Sequence, residues 1–218
     1  MIAIIDYDAG NIKSVEKALQ YLGQEVVITR DEDTILHADG VILPGVGAFG
    51  DAMEKLHSYG LVEVIRRTVA ARIPFLGICL GLQLLFESSE ESPGVEGLHI
   101  LEGKILRIPV QSGLKIPHIG WNDLSFPNEG RLFQGIPENS HVYFVHSYYL
   151  QASDPEIVTA ATVYGTYIHA SVEKDNVFAC QFHPEKSSDV GMRILRNFVS
   201  VAEAGQRKDC VTYESVSC

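Results

Sequence analysis

The chain has 218 residues, 46% of them hydrophobic, which is enough to bury a sizeable core. Its 17 basic and 28 acidic residues give a formal net charge of −11, and this balance argues against nucleic acid as a partner. The first five residues lack a basic segment and are followed by Asp6, so we expect no signal peptide, no membrane span and a cytoplasmic location.

The first half of the chain alternates between strand and helix patterns. Short apolar runs that are typical of buried parallel strands occur at residues 2–5, 25–29, 40–43 and 74–78. Helical patterns are predicted from Asn11 to Gly23, from residue 51 onward, over 61–71 and over 82–87. This order predicts right-handed crossovers and a doubly wound α/β sheet.

The second half has shorter, β-like segments with turns between them. Antiparallel pairing is predicted for residues 142–150, 157–163, 167–172 and 177–182. Ser187 or Ser188 is expected to cap a last helix, and Gly205 to begin a polar tail. We therefore predict one domain over residues 1–203 and a tail over 204–218 whose role the sequence does not reveal.

The turn after the fourth predicted strand carries the main chemical signal. Residues 77–81 (GICLG) have the small-x-nucleophile-x-small pattern of a nucleophile elbow, in which a strained turn raises the nucleophile above the sheet. The elbow also places Cys79 at the amino end of a helix, where unpaired N–H groups favour the thiolate. The alternative for Cys79 is a buried structural cysteine, because free cysteines are often buried.

A second motif, residues 182–185 (FHPE), follows a β-like segment and precedes the last helix. An imidazole can take the proton of a thiol and later give one to a leaving amine, so we assign this role to His183. Glu185 is close enough in sequence to orient His183 and to stabilise its charged form. Cys79, His183 and Glu185 are the predicted catalytic residues, although a turn histidine and a surface carboxylate remain the plainer interpretations.

Backbone donors are also needed to stabilise a tetrahedral intermediate. The elbow supplies the N–H group of Leu80. Residues 44–50 (PGVGAFG) form a glycine-rich loop at the same edge of the predicted sheet, and they lack the Lys-Ser/Thr ending of a phosphate-binding loop. This loop is suited to supply the second donor, and the hypothesis is that a peptide rotation brings the Val46 N–H group into the oxyanion hole. A plain hairpin-like turn remains an alternative for these residues.

Residues 77–83 (GICLGLQ), with 183–185 (HPE) about a hundred residues later, resemble the class I glutamine amidotransferases, and the resemblance spans residues 1 to about 203. The chain is most similar within that class to the glutaminase subunits of imidazole glycerol phosphate synthases. The motifs that carry this similarity are residues 44–50 (PGVGAFG), 117–122 (PHIGWN), 143–148 (YFVHSY) and 183–187 (HPEKS).

The resemblance implies a flavodoxin-like α/β fold, a mostly parallel mixed sheet flanked by helices, and a Cys-His-Glu triad. It implies that Gln83 and Glu91 hold the amino-acid head group of glutamine, although Glu91 lies in a loop. The same comparison implies that Gly47, Ser147 and Tyr148 line the substrate pocket.

The resemblance also implies a heterodimer with a (β/α)₈ barrel cyclase, which receives the ammonia and makes imidazole glycerol phosphate and AICAR in histidine biosynthesis. The residues that match family positions at this interface are Asn11, Trp121, Asn122, Tyr143 and Lys186. A core position is an equal alternative for Trp121.

Three other functions are compatible with parts of this pattern. The first is a glutaminase subunit for anthranilate, aminodeoxychorismate, pyridoxal phosphate or surface-sugar synthesis. The others are a non-catalytic module of the same fold, which should lack Cys79 or His183, and a hydrolase or chaperone with the same elbow, which should lack the HPE motif.

The four cysteines Cys79, Cys180, Cys210 and Cys218 have no CxxC or metal-type spacing, so neither a metal nor a cofactor is expected. Cys180 is expected to serve as a small hydrophobic side chain.

Overall fold

The computed structural model describes the backbone of residues 1–213 and the side chains of residues 1–205. The helices of this part are α1 (Ile12–Tyr21), α2 (Glu32–Leu36), α3 (Phe49–Ser58), α4 (Leu61–Ala70), α5 (Leu80–Leu84) and α6 (Ser188–Tyr213). The strands are β1 (Ile2–Ile5), β2 (Val26–Thr29), β3 (Gly40–Gly45), β4 (Phe75–Cys79), β5 (Ser88–Ser89), β6 (Gly103–Arg107), β7 (His118–Asp123), β8 (His141–His146), β9 (Tyr148–Ala152), β10 (Val158–Val163), β11 (Tyr167–Lys174) and β12 (Val177–Cys180).

One large sheet runs through the described part of the chain in the order β2-β1-β3-β4-β12-β11-β9-β6-β5, with β10 paired to β11. The neighbours from β2 to β12 are parallel, and β11, β9 and β6 continue antiparallel. Strands β7 and β8 form a separate two-stranded antiparallel sheet. The predicted doubly wound sheet with an antiparallel second half is confirmed.

Both faces of the parallel strands are covered by helices. Alternate residues such as Ile5 and Leu43 pack with α2, α3 and α4 on one face, while Ile4 and Ile42 pack with α1 and α6 on the other. The strands are therefore buried on both sides and read as continuous apolar runs, which explains why the sequence predicts them so directly.

Two strand predictions differ from the structure. The segment predicted as one strand over residues 142–150 is two strands, because the chain passes from the small sheet to the large one at Ser147. Strand β12 pairs antiparallel with β11 but parallel with β4, so it belongs partly to the parallel layer. This parallel pairing places the end of β12 beside the end of β4, so the residues that follow the two strands lie close together.

The last helix continues past the glycine that was expected to begin the tail. Helix α6 runs to Tyr213, because one glycine costs a helix only about 1 kcal/mol and the Gln, Arg and Lys that follow favour helix. The side chains of residues 206–218, including Cys210 and Cys218, lie outside the described residues. The division into a domain over 1–203 and a tail over 204–218 stays a prediction.

Candidate active site

Strand β4 ends at Cys79, whose backbone has φ 56° and ψ −107°. A positive φ at a residue other than glycine stores strain of about 1–3 kcal/mol and persists only where the surroundings impose it. The neighbouring glycines make this possible: a Cβ on Gly77 would lie 2.7 Å from the Gly81 carbonyl oxygen, and one on Gly81 would lie 1.8 Å from the Leu43 carbonyl oxygen. The predicted elbow is thus present, and both glycines are required by backbone contact.

His183 follows β12 at the same edge of the sheet. Because Cys180 on β12 is in register with Ile78 on β4, the two strands deliver the histidine and the cysteine to neighbouring positions. The His183 Nδ1 atom lies 2.8 Å from Glu185 Oε1, so this nitrogen carries the hydrogen, and both side chains are buried. His183 Nε2 makes no hydrogen bond to any described residue.

The charge state of His183 depends on its two acidic neighbours. Burial alone would lower the pKa of the imidazole, but the Cys79 sulfur and the Glu185 carboxylate raise it to about 9. At neutral pH the ring is therefore protonated, and a protonated imidazole can give a proton to a leaving group.

Glu185 has a partner that the sequence did not predict. Asn11 Nδ2 donates a hydrogen bond of 2.5 Å to Glu185 Oε1, the same oxygen that accepts from His183. Asn11 has φ 69°, and its side chain does not cap α1. A residue that was expected only at the partner interface therefore also contacts the predicted triad.

Tyr143 is bonded through its backbone to the turn that carries His183. The His183 N–H group donates to the Tyr143 carbonyl at 2.9 Å, and the Tyr143 N–H group donates to Ser187 Oγ at 2.9 Å. Ser187 Oγ in turn donates to the His183 carbonyl at 2.6 Å. The exposed Lys186 lies on the same turn.

A cavity of about 300 Å³ opens beside Cys79, a size suited to a small molecule. The predicted site residues that line it are Val46, Gly47, Cys79, Leu80, Gln83, Glu91, Ser147 and Tyr148. Residues 117, 145 and 146 complete the lining. The structure thus brings all the predicted substrate and oxyanion residues to one cavity.

Gln83 is almost fully buried, and its amide nitrogen is already engaged. Its Nε2 atom donates to the Tyr148 carbonyl and to Gln181 Oε1, both at 3.1 Å. Both N–H groups are used in this way, which leaves the Gln83 amide oxygen as its remaining hydrogen-bonding group.

Glu91 lies in the loop after β5 and reaches the start of α3. Its Oε2 atom accepts a hydrogen bond of 2.8 Å from the Phe49 N–H group. The next residue, Ser92, accepts from the Gly50 N–H group at 3.0 Å. The loop is therefore fixed to the helix that follows the Val46–Gly47 segment, and its carboxylate faces the cavity from a defined position.

Two buried polar groups near the site were not predicted. Gln181 Nε2 donates to Cys79 Sγ at 3.8 Å, and His146 lines the cavity and lies 3.0 Å from His118 between ring nitrogens. The position of Gln181 two residues before His183 was a usable signal, because alternate residues of an extended segment share a side. The histidine pair arises from β7–β8 pairing and had no such signal.

Trp121 is 51% exposed and contacts Tyr143 edge-on with ring centroids 6.1 Å apart. The core alternative for Trp121 is therefore wrong. Asn122 is half-buried, and its Nδ2 atom donates to the Val163 carbonyl at 3.1 Å. These residues and the Tyr143 side chain form a surface on the β7–β8 sheet.

A larger cleft, of about 1010 Å³, lies at the opposite edge of the sheet, at the amino ends of β3 and β4. Arg72 and Arg131 in its wall are paired with Asp175 and Glu173. Ligands of open α/β sheets bind at the carboxyl ends of the strands, so the smaller cavity beside Cys79 is the better candidate.

Among the described residues there is no cluster of His, Cys, Asp and Glu that could hold a metal ion. Cys180 is fully buried, and burial raises the pKa of its thiol, as expected of a small hydrophobic side chain. No helix within the described range is long and apolar enough to cross a membrane.

Residues 3–202 match the family model for glutamine amidotransferase class-I. The chain is 53% identical over 197 residues to the imidazole glycerol phosphate synthase subunit HisH of Moorella thermoacetica, a match that covers 90% of this chain and 93% of the relative. It is 51% identical over 201 residues to the protein of the same name from Aquifex aeolicus, with 92% and 96% covered. The solved structure of the glutaminase domain of CTPS from Trypanosoma brucei has a TM-score of 0.67 at 18% identity, covering 93% of each chain, and shares the fold.

Proposed function

Because the chain belongs to the class-I glutamine amidotransferase family, we propose that it is the glutaminase subunit of an imidazole glycerol phosphate synthase in histidine biosynthesis. It hydrolyses glutamine to glutamate and ammonia and passes the ammonia to a cyclase subunit. The observation that carries this proposal is the cavity with Cys79 in its wall, together with the buried His183, which interacts with both Cys79 and Glu185.

The chemistry follows from the order of these groups. The Cys79 thiolate attacks the side-chain amide carbon of glutamine and forms a carbon–sulfur bond. The carbon–nitrogen bond then breaks, and His183 gives its proton to the departing nitrogen, which leaves as ammonia. Water attacks the resulting thioester while His183 takes its proton, and the products are glutamate and the restored thiolate.

The negative oxygen of both tetrahedral intermediates needs backbone donors. Leu80 begins α5, where the first N–H groups of a helix have no partner within the helix. Val46 is 39% exposed and is followed by Gly47 at φ 110°, a segment with room for a peptide rotation. We assign these two N–H groups to the oxyanion hole, with the rotation at Val46 triggered by the partner.

The head group of glutamine is assigned to the other end of the cavity. The Gln83 oxygen and the Glu91 carboxylate accept from its ammonium group, and the backbone of Gly47, Ser147 and Tyr148 lines the site. The free oxygen of Gln83 and the fixed position of Glu91 support this assignment.

The proposed partner is a cytoplasmic cyclase with a (β/α)₈ barrel. Its binding surface on this chain comprises Asn11, Trp121, Asn122, Tyr143 and Lys186. The exposure of Trp121 and its contact with Tyr143 support this surface, because large exposed aromatic side chains are typical of interfaces. Ammonia is protonated in open water, so it must be transferred through a closed interface. Glutamine that is hydrolysed without a cyclase to receive the ammonia is wasted.

The decisive experiment reconstitutes the chain with the cyclase and compares the parent with Cys79→Ala. The parent should support glutamine-dependent synthesis of imidazole glycerol phosphate, and the glutamine-dependent rate of the variant should be at least about a thousandfold lower. Both should support equal synthesis from added ammonium salt, because the cyclase is untouched. Residual glutamine-dependent turnover in the variant would remove Cys79 from the mechanism, and failure of the parent with this cyclase would remove the pathway.

A further inference from the structure

Gln181 is a fully buried polar residue that the proposed triad, oxyanion hole and substrate contacts do not use. It follows β12 directly and precedes His183 by two positions. Its side chain bridges two residues of the site: the Oε1 atom accepts from Gln83 at 3.1 Å, and the Nε2 atom donates to Cys79 Sγ at 3.8 Å.

The orientation of this amide is fixed by a backbone carbonyl. A carbonyl oxygen only accepts hydrogen bonds, so the nitrogen of Gln83 must face the Tyr148 carbonyl. The same nitrogen is also the atom nearest to Gln181, so the oxygen of Gln181 must turn toward it. The remaining end of the Gln181 amide, its NH₂ group, is thereby directed at the cysteine sulfur.

Tyr7, Cys180, Val145 and His183 also lie near the sulfur, but none of them supplies a neutral side-chain donor that keeps its proton throughout the reaction. Burial raises the pKa of the Tyr7 hydroxyl and of the Cys180 thiol, so both are neutral, and the Tyr7 hydroxyl donates to the Pro44 carbonyl. The Val145 carbonyl lies 4.0 Å from Cys79 Sγ and can only accept. The His183 imidazolium gives its proton away during the reaction, and Glu185 bonds the Nδ1 atom of His183 rather than the sulfur.

We propose, on the basis of the proposed glutaminase function, that Gln181 is a further catalytic residue whose amide N–H binds the Cys79 sulfur whenever the sulfur is negatively charged. Hydrogen bonds to charged acceptors are stronger than those to neutral ones, so this contact favours the thiolate over the thiol and over the thioester. The thiolate is the nucleophile of the first step and the leaving group of the second. Gln181 therefore raises the fraction of thiolate present before the first step, stabilises the thiolate as it leaves in the second, and transfers no proton.

The test compares Gln181→Met, which removes the donor at similar length, with Gln181→Asn, which keeps an amide but withdraws it from the sulfur. The measurement is alkylation of the Cys79 peptide by iodoacetamide, followed by mass spectrometry over a range of pH. Peptide-level detection separates Cys79 from the other cysteines. Gln151→Met is the matched control, because Gln151 is an exposed residue of β9 in the same sheet.

Both Gln181 variants should move the midpoint pH of alkylation upward by about one unit, and the control should not move it. In the complex, kcat for glutamine should fall about tenfold with KM near the parent value, while synthesis from ammonium salt is unchanged. Asparagine is included because its polar amide suits a buried site if methionine impairs folding. A folded Gln181→Asn protein with the parent's midpoint and kcat overturns the proposal.

This result is separable from a failure of the proposed function. If the parent chain does not hydrolyse glutamine with the cyclase, the function is wrong, but the alkylation midpoint still reports whether Gln181 acts on the sulfur. If the parent is active and the Gln181 variants match it, only the role of Gln181 is lost.

Discussion

His183 lies between a cysteine sulfur and a buried carboxylate, and this position decides its state at rest. Its pKa of about 9 means that the ring carries a proton at neutral pH, before any substrate arrives. This folded value lies above the ordinary value of about 6.5, so the interactions of His183 with Cys79 and Glu185 stabilise the folded state. Their full contribution to the free energy of unfolding is present below pH 6.5. That contribution is lost as the pH rises through 9.

We predict that removal of either neighbour lowers the pKa of His183. Cys79→Ala and Glu185→Gln each delete a negative charge, so each should lower it by at least about one unit. The measurement is an NMR titration of the His183 ring, with Cys180→Ala as a control in which a nearby neutral thiol is removed. An unchanged pKa in both variants would show that neither neighbour sets the charge of the ring.

The residues of the proposed triad can be selected at this scale, but the contacts that support them cannot. Cys79, His183 and Glu185 stand in local motifs whose chemistry is legible from a few residues. Asn11 contacts Glu185 across 174 positions, and Gln181 contacts Cys79 across 102. Such contacts depend on strand order, which local pattern does not specify.

The elbow between β4 and α5 forms only because Gly77 and Gly81 have no side chains, which lets the backbone pack closely at both positions. Gly81 packs so closely on β3 that a methyl group would overlap the Leu43 carbonyl. The neighbouring backbone belongs to a central strand of the sheet and cannot move aside cheaply.

We predict that Gly81→Ala destabilises the protein by about 3 kcal/mol or more and disrupts the site. The matched control is Gly205→Ala in α6, where a Cβ meets no atom within 4 Å. That substitution should stabilise by up to about 1 kcal/mol, because alanine favours helix over glycine. Urea unfolding of the two variants provides the comparison, and equal stability of both would contradict the close contact.

The strands of the second half illustrate which element-level features are non-local. Residues 142–150 form an unbroken β-prone run, so no turn signal marks the change of sheet at Ser147. The break is caused by two different partners, β7 for β8 and β6 for β9. The buried parallel strands of the first half and helices α1 and α4 depend on local periodicity, and their ends were predicted to within two residues. Helix α2 was not predicted, and α5 begins and ends two to three residues earlier than expected.

At the scale of the whole molecule, two buried histidines make the fold sensitive to acid. His146 Nδ1 bonds the Tyr148 carbonyl at 2.9 Å, so its Nε2 atom must accept from His118, and both rings are neutral. Burial lowers the pKa of His118 to about 4 and that of His146 to about 3. The unfolded chain therefore binds protons below pH 6.5 that the folded protein does not.

We predict that stability falls as the pH drops from 6.5 toward 4, with each histidine adding up to about 1.4 kcal/mol per pH unit to the slope. His118→Asn keeps an N–H donor near the position of Nδ1 but does not titrate, so its slope should be shallower by about that amount. The exposed His57→Asn should leave the slope unchanged. Urea unfolding at pH 7.5, 6 and 5 measures the three slopes, and identical values would exclude the histidine pair as the cause.

The fold class was predictable at this scale because alternating strand and helix patterns leave few topologies. The predicted α/β sheet with an antiparallel second half is confirmed, as is membership of the class I glutamine amidotransferases. The insertion of β12 into the parallel layer was not predicted, and that insertion carries His183 to Cys79.

Tyr143 presents its ring to the proposed docking surface, while its backbone is bonded directly to the His183 turn on both sides. No intermediate residue separates the two, so any preference of the partner for one arrangement of that turn is a free-energy coupling between docking and the glutamine site. Such coupling is reciprocal: if docking improves the affinity for a glutamine-site ligand by some factor, that ligand must strengthen docking by the same factor. In the proposed heterodimer, a ligand whose binding is improved by docking therefore raises the affinity of the two proteins for each other by the same factor.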